Sequence, residues 1–556
     1  MAQTSRTSAK GAAKSLPFFD WHVMETYIDD QREMKQLMYD LFKSHPEMLT
    51  PVEEGLTKEE HRERVRQQLR LMLTVGINPM QMFSRDMKKY FYLAECMALI
   101  DLSLTVKAGV QFSLWGGRLK VPDPHGGRAM VDHGVHAFIV PLRDDAGQLL
   151  PGVEIHDCGY KVGLNGVDNG AIRFTHVRIP RVNLLDRFGS VDKSGRYSSP
   201  LTSQGRRFAA TLGELTGGRV GLCSGSVGTL KGALCIAIRY CAQRQQFGPP
   251  DAQEVAVLDY QSTQQRLIPM LATCYGLHFA KQLLVDRYCE MKRTKDHKLV
   301  EEVHALSAGL KAYTTRFTQN ALSVCREACG GHGYAAVNRL GALRSDHDIF
   351  QTFEGDNTVL LQQVSGLLLK EYRSQFQGAP LSSTFAFLRQ LAASSLPNNP
   401  LVTHETDVRH LRDPSFLASA LEYRTARMLF TLSLRLRKHT PRVGSFEAWN
   451  KCFQRAVEEC TDPDCRRSLR ALADTFALNC IMKDVIFRND EYIAPGKAKA
   501  IQRLLVELCS ELRGVAVPLV NAFAIPDHIL RAPIGLAGSG VSDMYKEYLL
   551  AAGFDV

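Results

Sequence analysis

Three long amphipathic stretches constrain the fold of this chain more than any other feature of its sequence. Between residues 220 and 241, apolar residues recur alternately three and four positions apart, which is the period of one face of an α-helix. A second such stretch covers residues 303–328 and stops at Gly330-Gly331, where a helix C-cap is expected. A third begins at Asn357-Thr358 and continues to Tyr372. Helices with such faces must pack on one another, so the sequence predicts a helical bundle.

The segments around these stretches predict a mainly α protein with a small β domain. Residues 15–117 show helical spacing, whereas residues 136–142, 153–156 and 172–177 are typical of short strands separated by Gly and Asn turns. Ser, Pro and Asn are frequent in residues 378–413, which indicates a linker, and helical spacing returns at Ile501, Leu504, Leu508 and Leu512. The predicted domains are 1–117 (helical), 118–195 (β), 196–377 (bundle), 378–413 (linker) and 414–556 (second helical domain).

Composition excludes several functional classes. The 556 residues carry a formal charge of +10, from 68 basic and 58 acidic residues, a mild bias without the concentrated basic face of a nucleic-acid binder. The longest apolar run, residues 220–238, is interrupted by Lys231 and is rich in Gly and Ser, so we expect no membrane span. The 14 cysteines show no CxxC pair and no zinc-site spacing. We therefore expect free thiols in a reducing intracellular compartment, with Cys325 and Cys329 in a core.

Two short segments could bind a phosphate-containing ligand. Arg244, in Arg244-Gln-Gln-Phe-Gly-Pro-Pro250, directly follows the first apolar face. Its guanidinium could hold a pyrophosphate with two parallel hydrogen bonds, or be an exposed cation at a helix C-terminus. The glycines of Ala328-Cys-Gly-Gly-His-Gly-Tyr334 would allow close approach to a flat ligand, or simply end the helix.

Glu354 is the candidate for acid–base chemistry. It lies in Thr352-Phe-Glu-Gly-Asp-Asn-Thr358, where three consecutive residues are capable N-caps. A carboxylate in a Gly-containing turn at a helix entrance could act as a general base. It could equally be there because negative charge is favourable at a helix N-terminus. The glycine-rich loop of residues 161–170 is interpreted as a hairpin connection.

Together, and in this order, four motifs resemble the acyl-CoA oxidase family of the acyl-CoA dehydrogenase superfamily. They are Gly217-Gly-Arg-Val220, Arg244-Gln-Gln-Phe-Gly248, Gly330-Gly-His-Gly-Tyr334 and Thr352-Phe-Glu-Gly-Asp-Asn-Thr358. The Phe-Glu-Gly-Asp-Asn-Thr form and the additional C-terminal helical domain are most similar to plant-type peroxisomal oxidases. The resemblance extends from about Phe18 to the C-terminus.

The resemblance implies an acyl-CoA dehydrogenase-like helical bundle with a C-terminal helical domain, in a flavoprotein homodimer. By it, Glu354 is the catalytic base, and Arg219 and Gly355 bind the acyl-CoA. The residues implied to hold FAD across the dimer interface are Arg244, Phe247, Gln261, Gly330 and Gly331, and Asn357 and Thr358 contact the flavin next to the base. The implied reaction converts fatty acyl-CoA and O2 to trans-2-enoyl-CoA and hydrogen peroxide in fatty-acid β-oxidation, in the peroxisome. The alternatives are an acyl-CoA dehydrogenase and a non-catalytic chain that dimerises with an intact oxidase.

The chain departs from the family pattern after Gly117. Arg118-Leu-Lys-Val-Pro122 follows at once, where the family has a Thr-Glu-x-x-His-Gly-Ser-Asn segment and a Trp-Ile-Gly segment against the flavin ring. The resemblance therefore implies an internal deletion and a truncated β domain. We expect the loss of these segments to weaken flavin binding and to slow turnover.

Overall fold

The computed structural model describes residues 16–49, 56–111, 117–122, 130–201, 203–204, 207, 215–294, 296–376, 404–421, 424, 447–484, 492–537 and 541–551. Its N-terminal part is helical, as the sequence predicts. The helix α3 begins with a capping box, in which Thr57 and Glu60 satisfy each other's backbone N–H groups. The helices are α1 (Trp21–Ile28), α2 (Arg32–Ser44), α3 (Lys58–Thr74), α4 (Pro79–Arg85), α5 (Met87–Ile100) and α6 (Leu102–Gln111).

The β region consists of three antiparallel pairs of short strands. They are β1 (Gly117–Pro122) with β2 (Met130–His136), β3 (Val153–Asp157) with β4 (Gly170–Phe174), and β5 (Ser190–Val191) with β6 (Tyr197–Ser198). The prediction of strands near 153–156 and 172–177 is confirmed, although β4 stops before His176, whose φ is +53°. The predicted strand 136–142 is wrong. There the chain pairs with a 3₁₀ turn, since the Ile139 N–H donates to the Asn183 carbonyl.

The bundle confirms the three predicted helices and adds a fourth long one. The four long helices are α7 (Leu215–Gln243), α8 (Gln261–Thr294), α9 (His297–Ala328) and α11 (Asn357–Phe376), and the short helix α10 (Leu340–His347) lies between α9 and α11. Helix α9 ends where predicted, because Gly330 takes the left-handed φ of +58°. Within residues 216–243, an 18-residue window is apolar enough to be a candidate membrane span, but 89% of that window is buried inside the protein. This packing is that of a core helix.

The C-terminal helices complete the same hydrophobic core. They include α12 (Val408–Leu411), α13 (Glu447–Glu459), α14 (Pro463–Lys483), α15 (Pro495–Arg513), α16 (Ala516–Asn521), α17 (Asp527–Leu530) and α18 (Val541–Ala551). A Cβ on Gly276 of α8 would lie 3.4 Å from the Phe453 ring, so α8 and α13 pack closely. The helical spacing of Ile501, Leu504, Leu508 and Leu512 is confirmed, because these residues lie in α15. Most of the predicted linker lies outside the described residues.

The cysteines whose side chains the structure describes are free. Cys325 and Cys329 are both fully buried, as expected of small core residues. In the described part of the chain, no group of three or more His, Cys, Asp or Glu side chains could hold a metal ion.

Candidate functional site

Glu354 lies in a tight turn between the 3₁₀ helix Asp348–Gln351 and α11. Its φ is +56° and that of Gly355 is +112°, so two consecutive residues adopt backbone conformations that L side chains rarely take. A left-handed glutamate costs about 1–3 kcal/mol and persists only where its surroundings hold it. Asp356 ends the turn by accepting hydrogen bonds from the N–H groups of Thr358 (2.9 Å) and Val359 (3.3 Å).

The turn places the Glu354 carboxyl group over the first turn of α7. A Cβ on Gly218 would lie 2.6 Å from the Glu354 carboxyl carbon, so only glycine leaves room for the acid. Atom Oε2 of Glu354 is buried and has no hydrogen-bond partner among the described residues. Burial raises the pKa of Glu354, and the charges of Arg219 and Lys311 oppose the shift. The carboxyl group is thus a stronger base than an exposed glutamate.

The side chain of Arg219 holds the backbone of Glu354, the predicted base. Its Nε donates to the Glu354 carbonyl oxygen at 3.1 Å, and its Nη1 lies 3.5 Å from Nδ1 of His304. The side chain is only 5% exposed, and burial lowers its pKa. The predicted acyl-CoA residue Arg219 is therefore next to the predicted base.

Asn357 and Thr358 have different environments. Asn357 is buried, and its Nδ2 donates to Oγ1 of Thr315 (2.9 Å) and to Oε1 of Gln351 (3.1 Å). Its amide nitrogen therefore makes two internal hydrogen bonds, and the side chain braces the turn. Thr358 is exposed. A Cβ on Gly355 would lie 2.8 Å from Cδ2 of Leu360, and the φ of +112° would strain any other residue, so this position also requires glycine.

The remaining predicted flavin residues form a second cluster beyond the C-terminal end of α7. Arg244 donates from Nη1 to the Tyr545 hydroxyl and lies 5.6 Å from the centre of that ring. Its Nε is buried without a partner among the described residues. Phe247 is 73% exposed, with a φ of +59°, and Gln261 is exposed at the start of α8.

The Gly330-Gly331 turn joins this second cluster. Tyr240, one turn before Arg244, lies with its hydroxyl 3.0 Å from Nδ1 of His332. Gly330 and Gly331 are both exposed, and a Cβ on either would meet nothing within 4 Å. The turn therefore leaves open backbone beside a guanidinium, as a phosphate-bearing ligand would require.

The two clusters lie at opposite ends of α7. Arg219 and Arg244 are 25 residues apart along essentially one helix, a rise of roughly 37 Å at 1.5 Å per residue. The structure thus brings Glu354, Gly355, Asn357 and Arg219 together at one end, and the Arg244 cluster at the other.

Three further residues contribute to these clusters without a sequence pattern that predicts their contacts. Lys311, on α9, contacts the Glu354 turn. In the sequence it is a single lysine inside the amphipathic stretch 303–328, and no local motif marks it as functional. Gly218 belongs to a noted motif, yet its contact with Glu354 depends on two distant segments meeting. Tyr545 contacts Arg244 from α18, and no local pattern connects the two.

Replacing Gly218 by alanine tests how tightly the base is seated. The new methyl group would overlap the Glu354 carboxyl group, so we expect the acid to move and kcat to fall roughly 100-fold. Gly221→Ala is the matched control, because a Cβ there meets nothing within 4 Å and a helical Gly→Ala change stabilises by about 1 kcal/mol. Equal activity in the two variants would contradict the described seating of Glu354.

Comparison with known protein families finds two matches in the chain. The acyl-CoA oxidase C-alpha1 domain profile matches residues 212–369, and the acyl-CoA oxidase profile matches residues 451–549. Among individual proteins, the chain is similar to acyl-coenzyme A oxidase 2, peroxisomal, of Arabidopsis thaliana. The identity is 43%, covering 100% of this chain and 93% of the relative. It is also 37% identical to peroxisomal acyl-coenzyme A oxidase 3 of Homo sapiens, over 74% of this chain and 63% of that protein.

The Arabidopsis alignment spans 658 positions against the 556 residues of this chain. At least 102 of its positions, the difference between those lengths, therefore have no residue of this chain.

Solved structures share the fold at low sequence identity. Acyl-CoA oxidase 1 from Yarrowia lipolytica superposes with a TM-score of 0.80 at 24% identity, covering 96% of this chain and 92% of that one. Acyl-CoA oxidase 1 from Arabidopsis thaliana gives 0.76 at 23% identity, with 96% and 94% covered. The helical-bundle fold predicted for this chain is the fold of these structures.

Proposed function

This chain belongs to the acyl-CoA oxidase family, and we propose that it oxidises fatty acyl-CoA with molecular oxygen. The products are trans-2-enoyl-CoA and hydrogen peroxide, so two hydrogens leave the acyl chain and O2 takes them up. One observation carries the proposal: the Glu354 carboxyl group is buried, has an unpartnered Oε2, and is held in a left-handed turn over Gly218. Such a group is prepared to accept a proton from a bound ligand.

Glu354 would remove the α-proton of the thioester. An α-proton is weakly acidic, so the base must be strong for a carboxylate and correctly placed. Burial raises the pKa of Glu354, and the hydrogen bond from Arg219 to its carbonyl fixes the backbone. The oxidation step is therefore expected to accelerate as pH rises through the raised pKa of this carboxyl, because only the ionised form accepts the proton.

The residues of the Arg244 cluster fit FAD, which when bound would supply the acceptor for the hydride from the β-carbon. Arg244 offers a buried, unpartnered Nε, and Gly330-Gly331 offers open backbone. We propose that Arg244, Phe247, Gln261, Gly330 and Gly331 hold the dinucleotide. A Caenorhabditis elegans acyl-CoA oxidase-1 similar to this chain has been solved in complex with FAD and ATP.

A homodimer would bring the two clusters to one cofactor. Within one protomer they are roughly 37 Å apart along α7, which is longer than an extended flavin dinucleotide. The Arg244 cluster and the Glu354 turn can therefore act on the same cofactor only if they come from different protomers. The exposed Phe247 and Tyr334 side chains, 73% and 83% accessible, suit such an interface.

The names of the relatives extend the proposal to a cellular location. The Arabidopsis and human proteins are both named as peroxisomal acyl-CoA oxidases, so we propose a peroxisomal role in fatty-acid β-oxidation. No observation favours the alternatives of an acyl-CoA dehydrogenase or a non-catalytic dimerisation partner.

We further expect loosely held flavin. After Gly117 the sequence lacks the segments that the family places against the flavin ring. The weak flavin binding expected from their loss stays a prediction. The purified protein should contain less than one flavin per chain by visible absorbance. Its peroxide production with medium- and long-chain acyl-CoA should rise when FAD is added. A stoichiometric flavin band without added FAD would contradict the expectation, and absence of peroxide at saturating FAD would contradict the proposed oxidase.

A further inference from the structure

Lys311 of α9 is a fully buried lysine at the Glu354 turn. Its side chain is 0% exposed, and its Nζ donates to the Gly355 carbonyl at 2.8 Å and to Oδ1 of Asn357 at 2.9 Å. It forms no ion pair with a carboxylate of the described residues. Burying an ammonium group without a counter-ion is costly. An apolar residue at this position would avoid the desolvation free energy of the ammonium group. The contacts of the ammonium group therefore indicate a role other than core packing.

The contacts of Lys311 are part of a closed polar network. Asn357, which accepts from Lys311, donates to Thr315, and the Thr315 hydroxyl donates to the Lys311 carbonyl at 2.9 Å. Lys311 thereby holds the turn on the C-terminal side of Glu354. Arg219 holds the Glu354 carbonyl itself. The two cations fix both halves of a turn whose backbone is strained at consecutive residues.

We propose that Lys311 is a positioning residue for the base: it holds the left-handed turn so that the Glu354 carboxyl group faces the acyl thioester, and its charge favours the ionised form of Glu354. The proposal rests on the proposed function, because it assigns a role in the same site. Lys311 acts through the Gly355 carbonyl and Asn357, so it is not itself a catalytic residue.

Loss of the Lys311 charge should change the pKa of Glu354 in a definite direction. The pKa of Glu354 is raised by burial and lowered by Arg219 and Lys311. Burial also lowers the pKa of Lys311, to about 8. Removing the Lys311 charge leaves Arg219 alone to oppose burial, so the pKa of Glu354 should rise further. The ionisable or charged groups facing Lys311 are Cys223 and Arg219 of α7, Glu354 and Asp356 of the turn, and His347 of α10.

The test compares Lys311→Met and Lys311→Arg with a matched control, Thr318→Val, in the full chain reconstituted with FAD. Thr318 lies two turns further along α9, is fully buried and donates to the Ser226 carbonyl at 3.4 Å, away from the base. Three properties are measured. They are the rate of flavin bleaching by acyl-CoA without oxygen across pH, the acyl-CoA dissociation constant, and hydrogen–deuterium exchange of residues 352–360 without FAD.

We expect K311M to lower the bleaching rate roughly 100-fold, as a misplaced base would, and to change the acyl-CoA dissociation constant less than about threefold. Its pH midpoint should move upward, and residues 352–360 should exchange faster than in T318V. Lys311→Arg, which keeps the charge, should keep the wild-type midpoint. A wild-type rate and midpoint in K311M, or a K311R midpoint displaced as far as that of K311M, would overturn the proposal. Failure of the proposed function itself is recognised separately, by unchanged bleaching in Glu354→Gln.

Discussion

Replacing Glu354 by glutamine is expected to reduce enoyl-CoA formation by at least about 1,000-fold, within the range that a positioned general base contributes. Glutamine has the shape of glutamate, so it should fit over Gly218 and keep the left-handed turn. It cannot accept the α-proton at neutral pH. The measurement is product formation at saturating FAD and acyl-CoA, together with flavin content and the thermal midpoint of unfolding.

Glu327→Gln is the matched control for Glu354→Gln. Glu327 is exposed on α9, where it pairs with Arg266 at 2.9 Å, and exposed ion pairs contribute at most about 1 kcal/mol. Its neutralisation should leave activity unchanged. If E354Q also forms enoyl product at the wild-type rate, Glu354 is not the base.

Replacing Arg244 by methionine is expected to weaken FAD binding by roughly 10- to 100-fold, since hydrogen bonds to charged groups are worth about 1.5–3 kcal/mol. Methionine keeps much of the apolar stem and removes the guanidinium that would contact the dinucleotide. Titration of FAD fluorescence measures the dissociation constant, and light scattering reports whether the dimer persists.

Arg266→Met provides the comparison for Arg244→Met. Arg266 is also an arginine near the Gly330 turn, but its guanidinium pairs with Glu327 at the exposed surface. We expect R266M to bind FAD as the wild type does. Equal affinity in R244M and the wild type would remove Arg244 from the flavin site.

The sequence predicts the bundle well where apolar periodicity is strong. Helices α7, α9 and α11 coincide with the three predicted amphipathic stretches, and the end of α9 was predicted from Gly330. Helix α8 was not singled out, because its residues from Leu271 to Lys281 are buried on every side, so no apolar stripe distinguishes it. The strand predicted at 136–142 failed because local alternation cannot show that the chain will pair with a distant turn.

The sequence motifs of the site could be recognised, but the contacts between them could not be predicted. The glutamate turn and the glycine turn each carry local signals of composition. The closeness of Gly218 to Glu354 and the contact of Lys311 with Gly355 join segments more than 40 residues apart. No periodicity or capping pattern encodes such contacts, which are set by how the helices pack.

The most direct test of the account is to add a long-chain acyl-CoA, without oxygen, to the full chain reconstituted with FAD and to follow the visible spectrum. The flavin absorbance should bleach while one trans-2-enoyl-CoA forms per flavin, and oxygen should then restore the colour and yield hydrogen peroxide. A fully flavin-loaded protein that binds the acyl-CoA and keeps its absorbance unchanged would contradict the proposed oxidase activity.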